Sequence, residues 1–407
     1  MKAIVLAGGY DQINLIEKLK ERGYEVILVD YYLNPPAAKY ADKHIQLSTL
    51  DESAVHCLAK EEKADLVITA CTDQALLTAA RVSENLNLPF YLTYEQALNV
   101  TNKKYMKEKM IQANIPTAKA KIVTTAFSKE DAESYLEYPY VVKPCDCNSS
   151  KGVKKVYNLE ELYNAVQTAQ EMSRSNTAII EEFISGKEIS IDAWIEKGQG
   201  RILSVTNTKK INESEDKFTI CQSNYPAVNG NNDYIEIENI IAKISQEFKI
   251  KNAPLLVQAI SNKKGIFVIE FSARMGGGSK YSLIKKISGV DIMEKYISLI
   301  LDNKYKIGEV KKSKSYIEVD YLYTQEGVLK EIEGIKEMIQ DGDIDEYYQY
   351  KEPGMKLSLP MTSSDRVAGI MLSSNDKKEL EEKRKRVLEN IHVLDKQGND
   401  VLLRNLY

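Results

Sequence analysis

Cysteine is scarce in this chain, and long apolar runs are missing. Five cysteines, an odd number among 407 residues, argue against a disulfide framework and indicate a reducing compartment. No stretch approaches the roughly 18 apolar residues that a membrane helix needs, and the apolar run in MKAIVLAGGY is too short for a signal peptide. We therefore expect a cytoplasmic protein with no membrane partner.

A strong charge of one sign is also missing. The formal net charge is −4, from 55 basic against 59 acidic residues, so no overall basic field would attract nucleic acid. Hydrophobic residues make up 43% of the chain, which is ample for real cores, and 407 residues exceed what one core usually spans. The composition predicts two or three globular domains and no nucleic-acid partner.

Strand and helix patterns alternate over residues 1–100. A buried strand at AIVLA precedes a helix at DQINLIEKLKERG, and EVILVD is a second strand that ends at Asp30. Further on, ADLVITA is a strand and TDQALLTAARVSENLNLP a helix, so we expect an α/β domain with a parallel sheet. A dinucleotide-binding oxidoreductase is an alternative, although GGYDQI lacks the G-x-G-x-x-G pattern.

Strand patterns become denser over residues 101–310, which predicts an α+β domain with antiparallel pairing. Strands are predicted near 120–124, 139–143, 177–183, 188–195, 201–207, 254–261 and 266–272. A third domain is predicted over residues 311–407, where the strand pattern SYIEVDYLYT and the helix DKKELEEKRKRVLENI occur. The charge run of that helix is interpreted as a solvated face.

The stretch GIFVIEFSARMGGGSK carries alternating polar side chains at the end of a buried strand. Glu270, Ser272 and Arg274 share one face, and the glycines that follow would let the backbone approach a substrate. If the preceding hairpin has a three-residue loop ending in Gly265, Gln258 lies opposite Glu270. Oxygen ligands on paired strands suit Mg²⁺. The alternative is a structural carboxylate that pairs with Arg274.

Two earlier stretches have the composition of a nucleotide site. In YPYVVKPCDCNSSKGVKKV a strand delivers Lys143 to a small polar loop containing Gly152, whose amides could approach phosphate oxygens. In AIIEEFISGKEISIDAW the acids Glu181 and Glu188 could bond a purine amino group and a ribose. The alternatives are a lysine at a strand end and charges on an edge strand. The C-x-C pair is interpreted as two small residues rather than a metal site.

These stretches occur in one order behind TNKKYMKEKM, and together they resemble the ATP-grasp superfamily of ADP-forming carboxylate–amine ligases. The similarity is strongest to ligases of amino acids or peptides, and extends to phosphoribosylglycinamide synthetase and to the ATP-grasp domains of carbamoyl phosphate synthase. The resemblance implies a pre-ATP-grasp domain over 1–100, a nucleotide-binding domain over 101–310 and a C-terminal lid over 311–407.

The resemblance also implies a set of site residues. They are Lys103 and Lys143 for the nucleotide, Ser149, Ser150, Lys151 and Gly152 for a phosphate-covering loop, Glu181, Phe183 and Ile184 for adenine, Glu188 for ribose, Glu270, Gln258 and Ser272 for metal, and Arg274 for the acyl phosphate. Lys151 and Arg274 would be the catalytic residues. Gln258 stands where the family's first metal-binding acid is expected, so either the metal binds more weakly or another acid compensates.

The resemblance predicts ATP and Mg²⁺, or Mn²⁺, as cofactors, and a small carboxylate and an amine as substrates. A homodimer is one expected assembly. Two rival functions stay open at this point. One is a non-catalytic or regulatory ATP-binding protein, for which Gln258 is the reason. The other is a phosphoribosylglycinamide synthetase-like ligase.

Overall fold

The computed structural model describes residues 1–135, 137–147, 151–211, 218–227 and 231–406. The elements of the first region are β1 (Lys2–Leu6), α1 (Asp11–Glu21), β2 (Glu25–Asp30), β3 (Lys43–Gln46), α2 (Glu52–Glu61), β4 (Leu66–Ile68), α3 (Asp73–Leu86) and α4 (Tyr94–Thr101). The four strands form a parallel sheet in the order β3-β2-β1-β4, which confirms the predicted α/β fold.

The apolar strand β1 is buried on both of its faces. Ala3 and Val5 pack into one hydrophobic cluster, whereas Ile4 and Leu6 pack into another on the opposite side of the sheet. An uninterrupted apolar run is what such double burial requires. At the end of β2, the Asp30 carboxylate accepts hydrogen bonds from the backbone N–H groups of Gly8 at 2.6 Å and Tyr32. Asp30 thus fixes the turn that follows β1.

The second region contains two sheets. Its elements are α5 (Lys103–Gln112), β5 (Ala120–Val123), α6 (Lys129–Glu133), β6 (Tyr140–Pro144), β7 (Lys154–Val156), α7 (Leu159–Met172), β8 (Ala178–Glu182), β9 (Lys187–Glu196), β10 (Gln199–Lys210), β11 (Ile220–Tyr225), α8 (Asn231–Glu247), β12 (Ala253–Asn262), β13 (Gly265–Ser272), α9 (Lys280–Ser288) and α10 (Ile292–Asp302). The smaller sheet has the order β5-β8-β6-β7, is antiparallel and encloses its own apolar core with α7.

The larger sheet continues from the second region into the third. The third region contains β14 (Tyr316–Leu322), β15 (Gly327–Glu333), α11 (Ile335–Gln340), β16 (Glu346–Gln349), β17 (Lys356–Leu357), β18 (Ala368–Ser374), α12 (Lys377–Asn390) and β19 (His392–Asp395). Its strands β14, β18 and β16 extend an eight-stranded sheet in the order β13-β12-β9-β10-β11-β14-β18-β16. A boundary near residue 311 therefore falls between strands of one sheet.

The β12–β13 hairpin turns differently from the prediction. Asn262 pairs with Gly265, so the connection is two residues long and the predicted three-residue loop is wrong. A bulge then places one extra residue, Ile269, on β13, and from there Gln258 lies opposite Glu270 as predicted. Without the bulge Gln258 would face Ile269, and the two polar groups would lie on opposite faces of the sheet.

None of the helices within the described ranges is both long enough and apolar enough to cross a bilayer.

Candidate active site

A cavity of about 650 Å³ lies between the small antiparallel sheet and one end of the large sheet. Nine of the predicted site residues line it, namely Lys103, Lys143, Lys151, Glu181, Phe183, Ile184, Glu188, Gln258 and Glu270. These residues span more than 160 positions of the sequence, and the folding of the two sheets places them around one cavity. A ligand in this cavity would be held from both sides.

Glu270 and Lys103 form an ion pair in the wall of both this cavity and a smaller one. The Lys103 ammonium lies 3.0 Å from the Glu270 carboxylate and donates a hydrogen bond of 2.8 Å to the backbone carbonyl of Cys147. Burial by itself lowers the pKa of Lys103, but Glu270 outweighs this effect and raises it above its usual value. Lys103 is thus a fixed cation at the start of α5. In the described ranges, no three His, Cys, Asp or Glu side chains converge as a metal site.

Arg274 is held by Asp73, a carboxylate of the first region that the sequence analysis did not select. The Asp73 carboxylate accepts hydrogen bonds from Nε of Arg274 at 2.8 Å, from its Nη2 and from the Ser272 hydroxyl. Burial raises the pKa of Asp73, but Arg274 outweighs burial and the pKa lies below its usual value. The arginine also donates through Nη1 to the carbonyl of Met275, so three of its five N–H groups are used.

A second, smaller cavity of about 20 Å³ connects these two groups of residues. Its polar lining is formed by Asp73, Thr101, Lys103, Gln258, Glu270, Ser272 and Arg274. A space of this size holds one water or one small ion. The three residues predicted to bind metal therefore share one small polar cavity with the predicted catalytic arginine.

Glu181 lines the large cavity and lies between two lysines. Its carboxylate is 2.8 Å from Lys143 and 2.7 Å from Lys107, and all three side chains are buried. Burial by itself would raise the pKa of Glu181, but the two lysines lower it to about 2. The hydroxyl of Thr117 accepts from Lys107 at 2.5 Å and donates to the carbonyl of Val268 on β13. This chain of bonds connects the two sheets.

The other predicted nucleotide contacts lie on the same cavity wall. Glu188 forms an ion pair of 2.5 Å with Lys210, and Phe183, 36% exposed, carries the Lys155 ammonium 3.9 Å above its ring. Ile184 lines the cavity beside them. An aromatic ring and an aliphatic side chain at the cavity wall suit a flat heterocycle.

The predicted phosphate loop is described only in part. Ser149 and Ser150 lie outside the described residues, whereas Lys151 lines the cavity. Gly152 has a φ of +71°, and a Cβ at this position would lie 2.8 Å from the Pro144 ring. The loop therefore requires glycine at this position.

Asp73 and Lys107 carry weak sequence signals. Asp73 opens a helix directly after a buried parallel strand, which is where α/β sheets place ligand-contacting residues. Lys107 follows Lys103 by four positions in TNKKYMKEKM, so the two lysines share one face of α5. Neither pattern predicts the ion pair, because the partner of Asp73, Arg274, and the partner of Lys107, Glu181, are distant in sequence.

Comparisons with known proteins agree with this architecture. Residues 136–282 match the family described as ATP-grasp domain, and residues 320–394 match the L-amino acid ligase C-terminal domain 2. The L-amino acid ligase from Bacillus licheniformis has a similar structure, with a TM-score of 0.80 and 21% sequence identity, covering 97% of this chain and 98% of that one.

Two curated relatives are similar over part of their length. The carbamoyl phosphate synthase large chain of Clostridium perfringens is 24% identical over 306 residues, 73% of this chain but 28% of that protein. The L-arginine-specific L-amino acid ligase of Bacillus subtilis is 25% identical over 256 residues, 60% of each chain. This chain thus matches about a quarter of the synthase and three fifths of the ligase. From these matches, the chain contains an ATP-grasp domain over residues 136–282 and an L-amino acid ligase C-terminal domain over residues 320–394.

Proposed function

We propose that the chain is an ATP-dependent, ADP-forming ligase that joins a small carboxylate, an amino acid or a similar acid, to an amine through an acyl phosphate. The observation that carries this proposal is the convergence of Lys143–Glu181, Lys103–Glu270 and Arg274 around two cavities that have Lys103, Gln258 and Glu270 in common. Adenine and ribose would lie beside Glu181 and Glu188, with the phosphates directed toward Glu270.

Mg²⁺ fits the smaller cavity. The carboxylate of Glu270 and the amide oxygen of Gln258 would be its main protein ligands, because the Ser272 hydroxyl donates to Asp73 and Asp73 pairs with Arg274. Mg²⁺ commonly takes few protein ligands and completes its shell with phosphates and water. When bound, the ion would neutralise charge on the transferring phosphoryl group. Mn²⁺ would suit the same donors.

The protein side chains would act by position and charge. In the first step a carboxylate oxygen bonds to the γ-phosphorus of ATP and ADP leaves. In the second step the amine attacks the acyl carbon, phosphate leaves, and the amine nitrogen loses a proton. The Arg274 guanidinium keeps two N–H groups free of Asp73 and Met275, and these would stabilise the phosphoryl oxygens in both steps. Lys103 would hold the phosphates near Glu270.

A panel of carboxylates and amines tests the proposal. We expect phosphate and ADP to appear only when ATP, Mg²⁺, a carboxylate and an amine are all present. ATP binding without phosphate release across a broad panel would contradict a ligase. It would favour the second candidate, a non-catalytic ATP-binding protein, which Gln258 supports because it brings no charge to the metal site.

Gln258→Glu measures how the cation site depends on charge. We expect the variant to need about tenfold less Mg²⁺ for half-maximal ATP binding, because a carboxylate opposite Glu270 adds a charged ligand. A magnesium titration of ATP binding measures this. Ser261→Glu, further along β12, is the control for added charge. An unchanged magnesium dependence would remove position 258 from the metal site.

We also place this activity in the cytoplasm. All five cysteines are unpaired, as a reducing compartment would require. The homodimer stays a prediction, which sedimentation at several protein concentrations would test.

A further inference from the structure

The three glycines at 276–278, called here the glycine loop, lie between Arg274 and helix α9. Arg274 is bonded to the backbone at the start of this segment, because its Nη1 donates to the carbonyl of Met275 at 2.8 Å. Ser279, between the loop and α9, has a φ of +60°. Residues other than glycine rarely adopt this conformation, and it persists where the surrounding contacts fix it. The contacts that fix the loop therefore bear on the position of Arg274.

Asp11, from the first region of the chain, holds the end of the glycine loop. Its carboxylate accepts hydrogen bonds from the backbone N–H groups of Gly278 at 3.0 Å and of Ser279 at 2.8 Å, one on each oxygen. A Cβ at Gly277 would lie 3.3 Å from the same carboxylate, so glycine at this position leaves room for Asp11. Hydrogen bonds to a charged acceptor are stronger than neutral ones, so this contact is a firm anchor.

The third region bonds the same two residues through their oxygens. The Tyr321 hydroxyl donates to the carbonyl of Gly278 at 3.2 Å, and the hydroxyls of Tyr350 and Ser279 lie 3.1 Å apart. The first region thus binds the N–H groups of this segment, and the third region binds its carbonyl and its hydroxyl. The end of the glycine loop is a junction of all three regions.

Asp11 also interacts with Arg274 through charge. Burial raises the pKa of Asp11 above its usual value, whereas its two N–H donors and the guanidiniums of Arg366 and Arg274 favour the charged form. Asp73, which comes from the first region as well, holds the side chain of Arg274. The first region therefore supplies one carboxylate to the guanidinium of this arginine and a second to the backbone that follows it.

We propose that Asp11 is a positioning residue for the ligase reaction, because it fixes the glycine loop and, through the Met275 carbonyl, the guanidinium of Arg274. This inference rests on the proposed function, in which Arg274 stabilises the phosphoryl oxygens. Asp11 is not among the residues that line the two cavities, so it acts through the arginine and not on the substrate. A misplacement of about 1 Å can lower turnover about 10²-fold, because phosphoryl transfer depends on position.

Amide hydrogen exchange tests the anchor without any turnover. In the wild type the N–H groups of Gly278 and Ser279 should exchange slowly, and Asp11→Ala should raise their exchange rates at least about tenfold. Asp395→Ala is the matched control, because Asp395 also accepts from two backbone N–H groups, both at 2.9 Å, in the turn after β19. It should leave exchange in the glycine loop unchanged. Rapid exchange of these two amides in the wild type would refute the anchor even if Asp11→Ala does not fold.

Turnover tests whether the anchor acts on the reaction. We expect Asp11→Ala to lower kcat by about 10–100-fold and to change the KM for ATP little, because the loop carries the catalytic arginine and not the nucleotide contacts. Asp11→Asn should recover part of kcat, since its amide oxygen can still accept from one N–H group. Asp395→Ala should leave kcat unchanged. In an Arg274→Ala background, Asp11→Ala should lower kcat no further. Additive losses, or an unchanged kcat in Asp11→Ala, would refute the positioning role.

The two measurements separate this inference from the ligase assignment. Phosphate release that Asp11→Ala leaves unchanged would refute the role of Asp11 but not the ligase. Absence of phosphate release from the wild type with every carboxylate and amine would refute the ligase, and with it the effect on turnover. Slow exchange that depends on Asp11 would still establish the anchor in that case, and exchange that does not depend on Asp11 would refute it.

Discussion

Arg274→Ala is expected to lower turnover by about 10²–10³-fold while ATP affinity changes little, because removal of a donor aimed at transition-state charge costs that much in comparable sites. Arg274 lines only the smaller cavity, whereas Lys143 and Glu181, the predicted contacts of the adenine end of the nucleotide, line the larger one. Phosphate release and ATP binding, measured on one protein preparation, test both parts. Wild-type turnover in the variant would remove Arg274 from the mechanism.

A double variant tests whether Asp73 contributes to turnover only by holding Arg274. If it acts through Arg274, then Asp73→Ala lowers turnover, and Arg274→Ala/Asp73→Ala is no slower than Arg274→Ala alone. Stability should follow a related pattern. Arg274→Ala leaves the Asp73 carboxylate buried without its partner and should cost about 3–5 kcal/mol in unfolding free energy, part of which the double variant regains. Additive effects on turnover would instead give Asp73 a role of its own.

The chain offers a matched control for this arginine–aspartate pair. Arg386 also contacts one aspartate, Asp343, through Nε and Nη2, at 3.0 and 2.8 Å, but on an exposed surface. Arg386→Ala should leave turnover unchanged and stability nearly so, because exposed ion pairs contribute little. A similar loss of turnover in both arginine variants would indicate general destabilisation rather than loss of a catalytic group.

Glu181→Gln is expected to be the most destabilising single change in the site. It leaves Lys107 and Lys143 buried without a carboxylate, and loss of one partner from a buried ion pair costs about 3–5 kcal/mol. ATP affinity should fall as well, because Lys143 loses the group that fixes its position. Urea unfolding and nucleotide titration measure the two effects. Lys107→Met, added to Glu181→Gln, should restore part of the stability.

The same carboxylate predicts an acid-dependent loss of stability. The pKa of Glu181 is about 2 in the folded protein, below its usual value of 4.5. A carboxylate with a lowered pKa stabilises the fold fully above its unfolded pKa, and this stabilisation disappears as the pH falls from about 4.5 toward 2. The difference in unfolding free energy between wild type and Glu181→Gln should shrink over that range, by on the order of 3 kcal/mol.

Glu182→Gln is the control for the unfolding free energy and for its dependence on acid pH. Glu182 is the next residue of β8, and its carboxylate accepts only a hydrogen bond from the backbone of Lys119 among the described contacts. We expect its replacement to change stability by less than about 1 kcal/mol with no acid dependence. If Glu181→Gln behaves like Glu182→Gln, the buried lysines do not depend on Glu181.

The secondary structure of this protein is largely encoded in local patterns. Apolar runs of four to eight residues between turn residues predicted strands that the structure confirms, such as β8, β9 and β13. The pattern did not predict the β-bulge at Ile269, because residues 266–269 are all apolar and no polar residue marks the point where the alternation shifts by one. The predicted turn was one residue too long, and the bulge was not predicted. The two errors cancel, so Gln258 still pairs with Glu270.

The chemistry of individual site residues was also visible in the sequence. Lys103, Lys143, Glu181, Glu188 and Glu270 stand at strand or helix ends in a recognisable order, and each lines the large cavity. Their partners were not visible. Lys107 pairs with an acid 74 positions away, and Asp73 pairs with an arginine 201 positions away. Helix and strand periodicity relates only residues a few positions apart, so it cannot predict pairs this distant.

The sequence by itself thus predicted most of the elements, the ATP-grasp domain and nine residues that line the large cavity, because periodicity and local charge depend on near neighbours in the chain. Only the tertiary structure decided which charges neutralise one another. The contact between the start of α3 and the end of β13 gives Arg274 its carboxylate, and the packing of α5 and β6 beside β8 brings Lys107 and Lys143 to Glu181. Such pairings are set by sheet order and helix packing, which act across hundreds of residues.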